Sequence, residues 1–437
     1  MQGGTMTRLR AWRVSTRVAG VLLGALSLAA CAPSTGDSAA GGHSAKVKLT
    51  VWSWRVEDVA AYQKIFDAYE EKHPGVTVEF QTFKSTEYET KLGTGLGQQG
   101  GPDVAQVKSY GKLQPFIEAG QLAPLDGKVP GLEKFDKTVL DGARGKKDGK
   151  IYGVPFAVQT LQVFYNKELF ARHGIQPPAT WDQMLAAAGK LKQAGVIPFS
   201  VSGKELWVLP IVHEVFGAAR YGGRDFEQAV LSGRKTFTDP DYVASLDLVK
   251  QLQPYFPENV TGVSYAESQL LFTSGRAAMF PGGAYELGFF QSQAPDLDIG
   301  VFEVPPPPGA RVQHPLTPGY ADGSYAVSAK SAHPREALEL VRWMATPEFG
   351  QLFSDKLKQI SPVPGVTAED PLVRQMAGNY AERGSTYLML VHFRYGRPVG
   401  TDVAGAAVQA MLLGRATGQQ AGQRIATELG KWFRPGS

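Results

Sequence analysis

The 437-residue chain contains a single cysteine, Cys31. One thiol cannot form an internal disulfide, a four-cysteine zinc site or a Cys-x-x-Cys redox pair. Neither a crosslink within the chain nor a thiolate metal site therefore explains its stability or function. With 43% hydrophobic and 20% charged residues, the composition is typical of a globular protein, and the length favours two large lobes over a single core.

Most of the chain also lacks an excess of charge of one sign. The net charge of +4 comes from 45 Lys and Arg residues against 41 Asp and Glu residues. Four of the arginines (Arg8, Arg10, Arg13 and Arg17) lie in the first thirty residues, which contain no acidic residue, and the rest of the chain has 41 of each sign. A basic surface is the main electrostatic sign of nucleic-acid binding, so this neutral remainder predicts that nucleic acid is not a partner.

Motifs for several enzyme classes are absent or incomplete. Gly95–Gly100 formally matches Gly-x-Gly-x-x-Gly, but it follows a predicted helix, whereas dinucleotide binding requires this loop between a strand and a helix. His213-Glu214 begins like a zinc-protease motif, yet Gly217 occupies the place of the second histidine. The sequence has no Gly-x-Ser-x-Gly elbow and no P-loop. A glycosidase pair of carboxylates stays open, since such a pair is defined by its distance in space.

The first thirty residues have the pattern of a secretory signal peptide. The arginines precede an apolar run from Val18 to Ala30, whose 13 residues are too few to span a bilayer, which takes about 20. The run ends in Leu28-Ala29-Ala30-Cys31, which resembles the lipobox of bacterial lipoproteins at every position. That resemblance implies cleavage before Cys31, lipid attachment to its sulfur, and anchoring at the extracellular face of the cytoplasmic membrane. Residues 31–46, rich in Gly, Ala and Ser, are then a flexible lipidated tether.

The rest of the chain alternates strand and helix patterns. Lys48–Trp52 predicts a strand, the helical spacing of apolar residues over Val59–Tyr69 predicts a helix, and Val76–Phe80 predicts a strand that returns parallel to the first. Val154–Tyr165 is almost continuously apolar and predicts one long buried strand, and Thr180 caps a further predicted helix. The pattern indicates an α/β fold, with no second hydrophobic span.

Five segments resemble the extracellular solute-binding proteins of carbohydrate ABC transporters. They are, in chain order, Gly101–Val104, Ile151–Pro155, Phe164–Phe170, Phe272–Met279 and Ala337–Phe353. The similarity extends from about residue 47 to the C terminus, with the segments in the family's order. The chain is therefore identified as a member of this family, distantly similar to its maltose-binding branch.

The resemblance implies a two-lobed, periplasmic-binding-protein-like α/β fold. Its lobes are interleaved, joined by crossing hinge segments, and hold a sugar in the cleft between them. By this similarity the first lobe comprises residues 47–157 and 305–347, and the second comprises residues 160–302 and 350–437. The family implies no cofactor, no metal ion and no catalytic residue.

A site for a neutral polyol needs flat aromatic faces against the C–H faces of the sugar, together with planar or ionised groups for its hydroxyls. Trp54 and Arg55 follow the first strand, where an open α/β sheet presents its loops to a cleft, whereas Trp52 continues the strand and is expected in the core. By similarity to the maltose-binding branch, Gln159 falls on an acidic hinge residue and Tyr285 on a stacking tryptophan. The expected ligand contacts are Trp54, Arg55, Glu57, Tyr110, Gln159, Trp207, Tyr285, Tyr320, Asp322, Arg394 and Tyr395.

Each of these positions also has a purely structural interpretation. Trp54 would then pack at the rim of a lobe, and Tyr285 would cap the core of the second lobe. The Asp322 carboxylate would bond to the backbone of its own turn, and Arg394 would form a surface salt bridge. The sequence leaves these alternatives open.

Together these features predict a monomeric, lipid-anchored receptor that binds a di- or oligosaccharide and delivers it to an ABC permease without making or breaking a bond. Two other functions stay open. Arg55 and Arg394 would suit a phosphorylated polyol or another anion in the same fold, because paired guanidinium groups bind phosphate well. The third possibility is a secreted glycosidase.

Overall fold

The computed structural model describes residues 46–436. The predicted signal peptide and lipobox, with Cys31, lie outside the described residues, as does the predicted tether up to residue 45. Among residues 46–436, every helix is too short or too polar to cross a membrane.

Strands and helices alternate along the described residues and are numbered in chain order. The strands are β1 (Val47–Ser53), β2 (Val76–Thr82), β3 (Val104–Lys108), β4 (Val154–Pro155), β5 (Val158–Asn166), β6 (Ile197–Phe199), β7 (Ala277–Gly283), β8 (Ile299–Phe302), β9 (Thr317–Ala321), β10 (Gly323–Val327) and β11 (Gly384–Thr386). The helices of the first half are α1 (Val59–Lys72), α2 (Ser85–Leu96), α3 (Gln114–Glu118), α4 (Lys137–Asp141), α5 (Lys167–Arg172), α6 (Trp181–Gln193), α7 (Val208–Tyr221) and α8 (Gly223–Leu231). Those of the second half are α9 (Pro240–Leu252), α10 (Tyr265–Thr273), α11 (Glu286–Gln293), α12 (Pro334–Trp343), α13 (Pro347–Leu357), α14 (Pro371–Arg383), α15 (Leu388–Val391), α16 (Gly400–Leu412) and α17 (Gly418–Leu429).

The first sheet has the strand order β2-β1-β3-β10-β4. β1 pairs in parallel with β2, with Val47 opposite Val76, so the predicted parallel return strand is confirmed. β10 joins this sheet antiparallel to both β3 and β4. The buried side of α1, with Tyr62, Ile65 and Phe66, packs against this sheet as its helical spacing predicts.

The second sheet has the order β11-β9-β5-β7-β6, and β8 also pairs with β5. All nine residues of β5 are buried, including the polar residues Gln159, Thr160, Gln162 and Asn166. The predicted helix start at Thr180 is confirmed by a capping box, in which the Thr180 side chain accepts from the backbone of Gln183 and the Gln183 side chain bonds back to the backbone of Thr180.

Two short crossings connect the sheets. The run Val154–Tyr165, predicted as one strand, is divided at residues 156–157, because β4 pairs in the first sheet and β5 in the second. A continuous apolar run predicts burial but does not specify which sheet each half joins. Asp322 alone separates β9 in the second sheet from β10 in the first. A third segment reaches the same place, where Ile360 forms a bridge with Val158.

Separate hydrophobic clusters support the two sheets, which gives the expected two-lobed α/β fold. Sheet and cluster membership differs from the expected lobe boundaries at two elements, and Tyr110 and Val139 of the expected first lobe also pack in the cluster of the second sheet. β9, expected in the first lobe, pairs with β5 and β11 of the second sheet. Phe353 and Leu357 of α13, at positions expected in the second lobe, are buried in the cluster of the first sheet. Both differences arise from contacts between distant parts of the chain, which a local sequence motif does not reveal.

Candidate functional site

The loop after β1 places a guanidinium group among three acceptors. Arg55 is buried, and its Nε donates to Oδ2 of Asp58 at 2.7 Å while Nη2 lies 3.3 Å from Oδ1. Nη1 is 3.4 Å from the carboxylate of Glu57. Arg55 and Glu57 were expected at the site; Asp58 was not, although its spacing from Arg55 is the (i, i+3) spacing of helical ion pairs. Two carboxylates therefore surround the guanidinium.

Arg55 also reaches across to the second lobe. Its Nη2 donates to the backbone carbonyl oxygen of Tyr285 at 3.4 Å, and its Cζ lies 5.5 Å from the centre of the Tyr285 ring. Tyr285 is buried, and its ring lies against Gly283, where a Cβ would overlap the ring. Arg55 and Tyr285, both expected ligand contacts, therefore lie against each other, one from each lobe.

Trp54 packs among aromatic side chains of its own lobe. Its side chain is 7% exposed and belongs to the hydrophobic cluster of the first sheet. Its ring packs against Tyr88 and Phe156, with centroid separations of 5.6 and 5.9 Å, and the Nζ of Lys108 lies 5.4 Å from the ring centre. Trp52 packs against the same cluster, beside Phe83.

Gln159 and Asp322, expected from different parts of the sequence, are hydrogen-bonded to each other at the crossings. Nε2 of Gln159 donates to Oδ2 of Asp322 at 3.1 Å and to Oε1 of Gln359 at 2.8 Å. The backbone of Asp322 accepts from the N–H of Ser109 and donates to the carbonyl of Ala157. Gln359 was not expected, because it comes from the third crossing segment and carries no local motif.

Three cations act on the carboxyl group of Asp322. Burial raises the pKa of Asp322, and Arg55, Lys108 and Arg394 oppose that rise, as does the hydrogen bond from Gln159. Burial in turn lowers the pKa of Lys108, against the attraction of Glu89. The site therefore combines acidic side chains, which accept hydrogen bonds, with basic side chains, which donate them.

Tyr110 joins the first lobe to the crossing. Its backbone is in the left-handed region, with φ of 61°. Its hydroxyl accepts a hydrogen bond from the N–H of Ala321 at 3.1 Å, and its ring belongs to the hydrophobic cluster of the second sheet. Tyr110 thus makes a structural contact with the end of β9.

The next residue, Gly111, is packed against the late loop of the second lobe. A Cβ at Gly111 would overlap the carbonyl group of Arg394 and the backbone nitrogen of Tyr395. Arg394 is half-buried, and its Nε has no partner among the described residues. The ring of Tyr395 lies 5.3 Å from the Nζ of Lys146 and packs beside the second-sheet cluster. Both expected residues of this loop therefore contact the first lobe.

Trp207 is connected to Tyr285 indirectly, through the side chains of Tyr265 and Glu286. Its half-buried ring meets Tyr265 edge-on at 4.8 Å, and the hydroxyl of Tyr265 donates to Glu286 at 2.7 Å. Glu286 follows Tyr285 in sequence, and burial raises its pKa to about 7. Tyr320, the remaining expected residue, is buried opposite Gln159 in the β5–β9 pairing and packs on Tyr387.

The structure therefore gathers Arg55, Gln159, Tyr285, Tyr320 and Asp322 around the crossings. Four contributing residues were missed by the sequence analysis: Asp58, Lys108, Glu286 and Gln359. A separate cavity of about 610 Å³ lies between β8 and α14, on another part of the second lobe. None of the expected ligand contacts lines it. Within residues 46–436, no group of His, Cys, Asp and Glu side chains has the arrangement of a metal site.

Comparisons with known proteins give the family. The model of the bacterial extracellular solute-binding protein family matches residues 53–351. A multiple sugar-binding protein of Streptococcus mutans serotype c is 26% identical over 338 residues, covering 75% of this chain and 77% of that protein.

Two solved structures show the same fold. One is a bacterial solute receptor described as having an exclusive substrate preference for b-D-galactopyranose, with a TM-score of 0.76 and 19% identity over 89% of this chain and 100% of that chain. The other is a chitin oligosaccharide binding protein, with a TM-score of 0.73 and 22% identity over 88% of this chain and 98% of that chain. The family model covers well over half of the sequence and the fold agrees with it, so the chain belongs to the bacterial extracellular solute-binding protein family.

Proposed function

We propose that this protein binds a saccharide between its two lobes and delivers it to the transmembrane subunits of an ABC importer. The observation that carries the proposal is the cluster at the crossings, where Tyr285 supplies an aromatic face and Arg55, Gln159 and Asp322 supply hydrogen-bonding groups of both kinds. Such a set suits a neutral polyol, which exposes C–H faces and a ring of hydroxyls. The sugar-binding relative supports the same ligand class.

The mechanism is a shift between open and closed lobes. Arg55 comes from the first lobe and Tyr285 from the second, and the two residues contact each other, so a ligand beside them gains contacts from both lobes only when the lobes are closed. Because binding favours the state with more contacts, the ligand stabilises the closed form. The permease is proposed to recognise that closed form, with no covalent step in the cycle.

The test is a calorimetric and thermal-shift screen of the purified protein against maltotriose, raffinose, D-galactose, chitobiose and mannitol. A saccharide that binds should stabilise the folded state by about 2.7 kcal/mol at a concentration of 100 times its Kd. Stabilisation by an inorganic ion or a peptide, with none by any saccharide, would refute the carbohydrate assignment.

The anion alternative receives less support from the structure. Arg55, which suggested it, lies between Asp58 and Glu57, and the carboxyl group of Asp322 is in the same cluster. Glycerol phosphate and inorganic phosphate belong in the same screen, where tighter binding than any neutral sugar would favour this alternative. The glycosidase alternative is tested by incubating the protein with chitin and maltose oligosaccharides and measuring the release of reducing ends.

The proposed location is the extracellular face of the cytoplasmic membrane, with a lipid on Cys31. Replacing Cys31→Ser should move the protein from the membrane fraction to the soluble fraction while the ligand affinity is retained. The proposed monomer is tested by light scattering of the Cys31→Ser protein, since this variant needs no detergent.

A further inference from the structure

The side-chain amide of Gln159 joins three crossing segments. Gln159 lies in β5, Asp322 lies between β9 and β10, and Gln359 lies beside the bridge between Ile360 and Val158. Both hydrogens on Nε2 of Gln159 are used, one toward Gln359 and one toward Asp322. Gln159 and Gln359 are 0% and 2% exposed, so these hydrogen bonds are shielded from water.

This pairing fixes which way the amide faces. Nε2 of Gln159 faces two oxygen atoms, Oδ2 of Asp322 and Oε1 of Gln359, and an amide nitrogen donates to both, whereas an amide oxygen turned the same way could not donate to either. Gln359 contributes a second acceptor to the same nitrogen and therefore resists rotation of the amide plane. Without Gln359, the amide keeps one partner and is free to turn about it.

The carbonyl oxygen of the Gln159 side chain has no hydrogen-bond donor among the described residues. Oε1 of Gln159 is buried and accepts no hydrogen bond from any described residue. Two further buried polar atoms near Asp322 have no hydrogen-bond partner among the described residues, namely Oγ of Ser109 and Nε of Arg394, and the latter needs an acceptor. A buried acceptor without a donor is unfavourable, and a hydroxyl group is the kind of donor that would satisfy it.

We propose that Gln359 is a positioning residue for ligand recognition, which holds the Gln159 amide so that Oε1 of Gln159 accepts a hydroxyl of the bound saccharide. The inference rests on the proposed function. It assigns to Gln359 a role in affinity that requires no contact between Gln359 and the ligand. It also makes the ligand hydroxyl part of the same hydrogen-bonded unit that connects the crossings.

A double-mutant cycle tests this role. Gln159→Ala, Gln359→Ala and the double variant are compared with the unsubstituted protein for binding of whichever sugar in the panel of maltotriose, raffinose, D-galactose and chitobiose binds it most tightly. Gln159→Ala should weaken binding roughly tenfold, the effect of losing a buried hydrogen bond. Gln359→Ala should weaken binding about threefold to tenfold when Gln159 is present and should have no further effect when it is absent, because Gln359 acts through Gln159.

Gln162→Ala is the matched control. Gln162 is a buried glutamine of the same strand, and its side chain bonds to Thr160 and Asn379. Its distance of three residues along β5 places it on the opposite face from Gln159. This variant should lower the melting temperature of the ligand-free protein without weakening sugar binding.

Urea unfolding of the ligand-free variants separates the possible outcomes. Coupling between the two glutamines in unfolding, with unchanged sugar affinity in both single variants, would overturn the inference and leave the amide a purely structural link. Equal affinity losses from Gln359→Ala in both backgrounds would also overturn it. Failure of the unsubstituted protein to bind any sugar would instead refute the proposed function. If Gln359→Ala does not fold, Gln359→Leu preserves the side-chain volume and replaces it in the cycle.

Discussion

Nη2 of Arg55 lies 3.4 Å from the carbonyl oxygen of Tyr285, which is 230 residues away in the sequence and in the other lobe. Arg55 is oriented for this contact by its own lobe, because the carboxylate of Asp58 accepts from both Nε and Nη2. The contact joins protein atoms directly, so it favours lobe closure whichever ligand is bound. It also engages a backbone carbonyl, which a substitution at Tyr285 would leave in place.

Replacing Arg55→Lys should shift the lobes toward the open form. Lysine keeps the positive charge beside Asp58 but lacks the branched guanidinium that reaches Tyr285. Loss of a hydrogen bond worth about 1 kcal/mol would lower ligand affinity roughly fivefold. Small-angle scattering of the ligand-free variant should give a larger radius of gyration. Arg144→Lys, whose partner Asp141 is in the same lobe, is the control and should change neither quantity.

Gly111→Ala should block full closure. The added Cβ would overlap the backbone carbonyl of Arg394, and a backbone group cannot rotate away as a side chain can. We expect affinity to fall by about tenfold or more, since the closed form must distort by an amount worth at least about 1.4 kcal/mol. Gly75→Ala is the control in the first lobe, where no atom lies within 4 Å of the added Cβ. Isothermal titration of both variants checks the prediction, and equal affinities would contradict it.

Tyr285→Ala should weaken sugar binding by about 1–3 kcal/mol, the usual effect of removing an aromatic anchor. Tyr285→Phe keeps the ring against Gly283 and the backbone carbonyl that accepts from Arg55, so most of the affinity should remain. Titration calorimetry of the two variants distinguishes a stacking role from a role of the hydroxyl. If both lose affinity equally, the hydroxyl is the important group.

Trp54→Ala should mainly reduce stability. The ring is packed between Tyr88 and Phe156 inside the cluster of the first sheet, so its removal leaves a cavity. The expected loss is about 3–5 kcal/mol in the free energy of unfolding, measured by urea denaturation of the ligand-free protein. A ligand platform would behave differently, with a loss of affinity and a nearly unchanged midpoint.

The alkaline side of the stability profile should depend on Glu214. This residue is buried in α7, where the Tyr221 hydroxyl donates to it, and burial raises its pKa to about 8. The unfolded chain releases that proton near pH 4.3, so between this pH and about 8 the folded state holds a proton that the unfolded state does not. The resulting stabilisation is complete below about pH 4.3, falls progressively above it and is lost as the pH rises through about 8.

Glu214→Gln removes this dependence, because the amide does not titrate. Between pH 7 and 9 the free energy of unfolding of the variant should fall less steeply than that of the unsubstituted protein. The window avoids His213, whose pKa burial lowers to about 3 and which affects stability on the acid side instead. Glu168→Gln, on the surface beside Arg172, is the control and should leave the slope unchanged.

Local parts of this fold could be predicted from sequence, and long-range pairings could not. The unit formed by β1, α1 and β2 follows from hydrophobic spacing within about forty residues. The division of the run Val154–Tyr165 does not, because its two halves join strands that arrive from distant parts of the chain.

The same contrast holds at the site. Trp54 and Arg55 were found beside the first strand because the end of a strand is a local signal, but the packing around Trp54 depends on Phe156. Gln359 carries no signal of its own, and its partner Gln159 is 200 residues away.

The position of Asp322 between β9 and β10 has a consequence for the order of events in binding. When two bodies rotate about a joint, points near the joint move least, and points at the far rim move most. Asp322 and Gln159 therefore offer nearly the same arrangement to an incoming solute before and after the rotation, whereas Arg55 and Tyr285, which belong to different lobes, come together only when the lobes are closed. A solute would be captured first by Asp322 and Gln159, and the contact between Arg55 and Tyr285 would then determine how long it stays.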